Sequence, residues 1–292
     1  MNSPFSIVFC GTPDFAVPSL AALLSDPAFS VKLVITQPDK PVGRKQIMTP
    51  PPVKLLAEQH NIPVLQPNNI NEQAASNKLQ ATSCDYLVVV AYGQILSKEI
   101  LALPKIAPVN LHPSLLPRWR GASPIHHALL AGDRETGITI QQMAEALDAG
   151  PILAQERLPL NPTETYEHLR QLLAERGAAL LLKTLKAPLH PVPQDAKNVT
   201  LCAKLTRKDG EADPSRMSAG EMDRLVRALT PWPGVTCPIN GETVKILKTS
   251  LSEVSESIPL PCAKNTTLFV AELQSPGKKP MSGAAWMRGH NK

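Results

Sequence analysis

Asp85-Tyr86-Leu87-Val88-Val89-Val90-Ala91 is apolar at almost every position and rich in β-branched residues. A strand with one wet face alternates apolar and polar residues, whereas an unbroken apolar run belongs to a strand covered on both faces, as in parallel sheets flanked by helices. The stretch therefore reads as the central strand of an α/β domain. Toward the N-terminus, Phe5 to Cys10 is a second β-forming run, closed by Gly11-Thr12-Pro13-Asp14 and followed by Phe15, Val17, Leu20, Leu23 and Leu24 at helical spacing. Val31 to Thr36 and Ile62 to Leu65 read as strands, Val53 to His60 and Ile70 to Ala81 as helices. Toward the C-terminus the same alternation continues: strand Ala107 to Leu111, helix Ala122 to Ala131, strands Gly137 to Met143 and Ile152 to Leu160, and a long helix from Glu164 to Lys186. Repeated strand–helix units predict a mostly parallel sheet.

A chain of 292 residues suits two domains. Prolines cluster at Pro50 to Pro52, Pro188 to Pro193 and Pro259 to Pro261, which read as loops or linkers because proline lacks an N–H. The second cluster opens a stretch with little apolar periodicity, so a semi-rigid linker is expected. The expected division is a domain over residues 1–188, a linker over 189–206 and a smaller domain over 207–292. In the last, Ser218 followed by Glu221 has the form of a capping box ahead of a helix to Leu229. Short strands at Thr243 to Leu247 and Thr267 to Leu273, with a turn at Asn240-Gly241, predict a small barrel or sandwich.

A formal charge of +5 fits an anionic partner but falls short of a histone-like charge density. Five cysteines, odd in number and without CxxC spacing, suggest neither a disulfide framework nor a zinc site, and no metal is expected. Met1-Asn2-Ser3-Pro4-Phe5 has no basic leader and no membrane span, so a cytoplasmic protein is expected; a monomer is expected as well.

In an open parallel sheet, ligands bind beyond the carboxyl ends of the strands. Three such places carry polar chemistry. Gly11-Thr12-Pro13-Asp14-Phe15 follows the first strand but lacks the Gly-x-Gly-x-x-Gly spacing of a dinucleotide site. Val109-Asn110-Leu111-His112-Pro113 runs off another strand, and alternation puts Asn110 and His112 on one face, about 7 Å apart. Leu147-Asp148-Ala149-Gly150 follows a third strand and taken alone could be an ordinary Asx turn. An amide, an imidazole and a carboxylate at the ends of one sheet can move an acyl group already activated on a nitrogen. Asn110 would stabilise an oxyanion, His112 would share that task or relay the proton, and Asp148 would fix the imidazole tautomer or order a water.

At these residues the sequence resembles a known family, the folate-dependent formyltransferases. Asn110-Leu111-His112-Pro113-Ser114-Leu115-Leu116-Pro117 with the later Asp148-Ala149-Gly150 carries the general likeness. Gly11-Thr12-Pro13-Asp14-Phe15-Ala16 and the long loop before Pro52-Val53-Lys54 resemble the branch that formylates methionyl-initiator tRNA for translation initiation. So do Thr230-Pro231-Trp232-Pro233-Gly234 and Gln274-Ser275-Pro276-Gly277-Lys278-Lys279. The resemblance implies a Rossmann-like, mostly parallel catalytic domain with a smaller OB-like β-barrel behind it. It also implies 10-formyltetrahydrofolate as co-substrate, Asn110, His112 and Asp148 as catalytic residues, and Ser114, Leu115, Leu116 and Pro117 at the folate. Arg44 and Lys45 become candidate tRNA contacts in the loop Val42 to Pro51, and Lys278 and Lys279 candidate phosphate contacts in the second domain. The rival expectations are a formyltransferase for another amine, such as glycinamide ribonucleotide or an amino sugar nucleotide, and a non-catalytic RNA-binding protein.

Overall fold

The computed structural model describes residues 3–43 and 45–290, so Arg44 lies outside the described residues. The chain divides into two compact units. The first, residues 1–121, 136–158 and 170–201, is built on a sheet of seven strands. Along the chain its elements are β1 (Phe5–Gly11), α1 (Val17–Ser25), β2 (Phe29–Ile35), a hairpin of β3 (Lys40–Val42) and β4 (Ile47–Thr49), and α2 (Pro52–Gln59). Next come β5 (Val64–Leu65), α3 (Gln73–Thr82), β6 (Tyr86–Val90), α4 (Lys98–Leu101), β7 (Ala107–His112) and β8 (Arg120–Gly121). The chain continues with α5 (Pro124–Ala131), which belongs to the second unit, and then with β9 (Glu135–Gln142), β10 (Ile152–Pro159), α6 (Tyr166–Lys186) and β11 (Leu201–Cys202).

The sheet order is β10-β9-β7-β6-β1-β2-β5, and β6 stands at its centre with all five residues buried. The pairs β1–β2, β1–β6, β2–β5 and β6–β7 are parallel, and β7–β9 is antiparallel. Alternate residues Val8 and Cys10, Leu33 and Ile35, and Leu87 and Val89 share one buried face with Leu79, Ile100 and Tyr92, as period two requires. Burial pushes the Cys84 thiol up to about 11 and raises that of Cys10 further, so both sulfurs are packing groups.

The stretch expected to be a linker is bonded to this unit rather than spanning free. Val192 pairs with Ile152, Gln194 donates to two loop carbonyls, and the Thr200 hydroxyl accepts from Trp119 N at 2.8 Å. Proline-rich chain has few backbone donors to give, so side chains make most of these bonds.

The second unit gathers residues 122–135 and 159–169 with 202–292. It contains α7 (Ala219–Leu229), β12 (Val235–Ile239), β13 (Glu242–Ser250), β14 (Ile258–Cys262), β15 (Thr266–Gln274), β16 (Met281–Ser282) and α8 (Gly283–His290). The strands form an antiparallel sheet in the order β12-β13-β15-β14, with β16 also on β15. The expected capping box opens α7: Ser218 N and Oγ donate to Glu221 Oε2, and Glu221 N returns a bond to Ser218 Oγ. Those bonds, helped by Lys264, pull the Glu221 carboxyl down to about 2. The His126 ring of α5 stacks on Tyr166 at 3.9 Å, and Arg227 ties Asp223 to the Glu164 carbonyl.

The proline cluster Pro259 to Pro261, read as a loop or linker, is corrected here, because it lies in β14. Ile258 and Leu260 face the core, while Pro259 and Pro261 face out on a strand at the end of the sheet order. An edge strand leaves every second N–H without a ladder partner, so proline there costs no hydrogen bond.

Candidate active site

The site is built where β7 and β9 run side by side. Their antiparallel register sets Asn110 opposite Gln141 and His112 opposite Thr139. Asn110 Nδ2 donates to the Val89 carbonyl on its other neighbour at 3.0 Å. A carbonyl can only accept, so this bond fixes which end of the amide is nitrogen. Asn110 Oδ1 in turn accepts from Gln141 Nε2 at 3.1 Å, which leaves one amide proton of Asn110 without a partner among the described residues.

Asp148 arrives from the loop after β9 and is held on both carboxylate oxygens. Oδ1 accepts from the same Gln141 Nε2 at 3.1 Å, and Oδ2 from the Gly121 N–H at 2.9 Å. Its backbone is in the left-handed region, φ 51°, which costs a non-glycine residue about 1 kcal/mol. Two residues on, Gly150 is obligatory: a Cβ there would lie 1.8 Å from the Gln142 carbonyl oxygen.

His112 is 5% exposed and faced by acceptors on both ring nitrogens. Nε2 lies 2.9 Å from the Trp119 carbonyl oxygen and Nδ1 3.6 Å from Asp148 Oδ1. The first contact is a hydrogen bond and requires the proton on Nε2; the second is beyond hydrogen-bond length but within ion-pair reach. A neutral ring therefore presents a bare Nδ1 beside a carboxylate, and a proton arriving at Nδ1 meets its counter-charge there.

The segment from Pro113 to Gly121 is clamped in turn. Thr139 Oγ1 donates to the Ser114 carbonyl and accepts from Leu116 N–H and Gln155 Nε2, using its full hydroxyl capacity. Gln155 also donates to the Leu116 carbonyl, and Ser114 Oγ to that of Arg118. Of the four residues expected at the folate, Ser114 and Leu116 are buried and shape this turn, whereas Leu115 and Pro117 are half-buried. Nearby strand ends are cross-tied as well: the Tyr92 carbonyl after β6 accepts from Thr12 Oγ1 and Gln37 Nε2, which follow β1 and β2.

Asn110, His112 and Asp148 are thus brought together, while Lys45 sits apart on the exposed β3–β4 turn. Reading the sequence by motif missed Gln141, Thr139, Gln155 and Gln194. A signal for the first two was present, since Thr139 and Gln141 alternate with Ile138 and Ile140 in a run read as a strand, and polar side chains that a sheet buries need partners. Among the described residues no cluster of three or more His, Cys, Asp or Glu could hold a metal ion, and no helix is long and apolar enough to cross a membrane.

Comparison with known proteins places the chain. The family described as formyl transferase matches residues 5–185, and its companion, formyl transferase C-terminal domain, matches residues 204–291. A methionyl-tRNA formyltransferase of Halalkalibacterium halodurans is 41% identical, covering 97% of this chain and 94% of its own. One from Magnetococcus marinus is 43% identical, covering 97% and 95%. Among solved structures, HypX from Aquifex aeolicus in complex with tetrahydrofolic acid superposes with a TM-score of 0.66 at 14% identity, over 98% of this chain and 47% of that one, a likeness of fold. With both domain models matched in order and relatives aligned almost end to end, the chain belongs to the formyl transferase family, among the methionyl-tRNA formyltransferases.

Proposed function

We propose that this chain transfers a formyl group from 10-formyltetrahydrofolate to the free amino group of methionyl-initiator tRNA, for translation initiation. One observation carries the reading: Asn110, His112 and Asp148 converge in a chain alike over 97% of its length to methionyl-tRNA formyltransferases. The folate supplies a formyl group already activated on nitrogen, so no covalent enzyme intermediate is needed.

The residues then divide the work. The unengaged amide proton of Asn110 is directed at the negative charge that develops on the formyl oxygen, in a place where Gln141 and Val89 have already fixed the amide's orientation. As the amine's bond to the formyl carbon forms and the folate nitrogen's bond to it breaks, His112 takes the amine's proton on Nδ1 and passes it to the departing folate nitrogen, with Asp148 stabilising the imidazolium between the two steps. Ser114, Leu115, Leu116 and Pro117 border the folate, Ser114 and Leu116 by holding the turn and Leu115 and Pro117 by contact. The donor set is a fair fit: an unspent amide proton beside a half-apolar rim suits a polar formyl on a flat ring system.

For the tRNA, Lys45 on the exposed β3–β4 turn is a proposed contact, with exposed Val42, Ile47 and Met48 on the same hairpin, and Arg44, outside the described residues, is proposed with it from the sequence. In the second domain, exposed Lys278 and Lys279 are proposed to bind phosphates, which makes affinity fall as salt rises. Residues 1–188 would then hold catalysis, 189–206 the connection and 207–292 the tRNA grip, with the whole acting in the cytoplasm. The test is formyl transfer to methionine-charged initiator tRNA, with glycinamide ribonucleotide and an amino sugar nucleotide as parallel acceptors. Transfer to the tRNA alone is expected; transfer only to a small amine would overturn the acceptor while keeping the chemistry.

A further inference from the structure

Between His190 and Asn198 every residue is exposed except Gln194. Its side chain uses all the hydrogen-bonding capacity of a primary amide. Nε2 donates to the carbonyl oxygens of Asp148 at 2.8 Å and Gly150 at 2.6 Å, and Oε1 accepts from Arg120 Nε at 3.0 Å and the terminal Nη2 at 2.8 Å. The neighbour of Arg120, Gly121, gives its N–H to Asp148 Oδ2. These contacts close a ring: Asp148 carboxylate, Gly121 main chain, Arg120 guanidinium, Gln194 amide, Asp148 carbonyl. Asp148 needs such a hold, because its left-handed backbone is unfavourable and its carboxylate must stay 3.6 Å from His112 Nδ1.

We propose that Gln194 is a positioning residue that fixes Asp148 against His112 from the segment leading out of the catalytic domain. The proposal rests on Asp148 acting in catalysis as described above. A glutamine serves where a glutamate would not: a carboxylate keeps the Arg120 bond but offers no donor, and it sets negative charge against the Asp148 and Gly150 carbonyl oxygens. Gln194→Glu therefore separates the two halves of the ring, whereas Gln194→Met, of similar length, removes both.

The experiment measures kcat and both KM values for Gln194→Glu, Gln194→Met, Asp148→Asn and the double variant Asp148→Asn with Gln194→Glu. Both single Gln194 variants are expected to lose about tenfold in kcat with each KM within about twofold. The double variant is expected to be no slower than Asp148→Asn alone, since a residue acting through Asp148 has nothing left to position. Unchanged kcat in both Gln194 variants, or losses that multiply in the double variant, would overturn the proposal while leaving the role of Asp148 standing. Near-normal turnover by Asp148→Asn would overturn both.

Discussion

The end of β7 and the β3–β4 hairpin are both proposed to meet substrate, yet they are held in opposite ways. At the first, His112, Thr139 and Gln141 are buried, and both carboxylate oxygens and the carbonyl of Asp148 accept hydrogen bonds. At the second, all six strand residues are exposed, and three large apolar side chains, Val42, Ile47 and Met48, are more than half in water. The chain entering the hairpin is tied at Asp39, which accepts from Lys54 and Gln66. Those bonds, that of Gln66 first, hold the Asp39 carboxyl below the usual carboxylate range. The contrast suits the two tasks. Stabilising a developing charge requires donors already in place, since reorganising them would consume the gain, whereas gripping a large acceptor tolerates a surface completed by the partner.

Substitutions at two glycines, one in each region, separate the two kinds of hold. Gly150→Ala forces a Cβ to within 1.8 Å of a backbone oxygen, so a loss of about 3 kcal/mol in denaturant stability is expected, with loss of transfer activity. Full stability would show that the Asp148 loop yields more easily than its bonds imply. A smaller effect is expected at the hairpin turn: Lys45→Ala should raise KM for charged tRNA about fivefold and leave kcat and the folate KM unchanged. Equal losses for both substrates in steady-state assays would contradict a role confined to the acceptor. The smallest effect is expected at Gly43→Ala. A Cβ there meets nothing within 4 Å but is strained at φ 72°, which costs the hairpin about 1 kcal/mol. The thermal midpoint of the whole protein should hardly move; a fall like that of Gly150→Ala would erase the distinction between the two regions.

The same contrast marks what the sequence made legible. β6 was readable because burial on both faces removes polar residues from a strand, and α7 because its capping box is local. Asn110 and His112 were readable as a pair because alternation is a property of one strand. Gln141 was not, because its bond to Asn110 exists only through the register of β7 against β9, which no local pattern encodes. Gln194 lay hidden for a similar reason, being a single inward glutamine in a proline-rich stretch whose composition says linker. β14 was lost because proline reads as a breaker unless the strand is known to lie at an edge.

Formyl transfer as proposed depends most on the proton path at His112. Single-turnover formyl transfer by His112→Ala, with folate and charged tRNA both saturating, tests it most directly. A rate lowered on the order of 10³-fold, with both ligands still bound, is the predicted result. A rate within a few-fold of the parent enzyme would contradict it and remove the imidazole from the reaction.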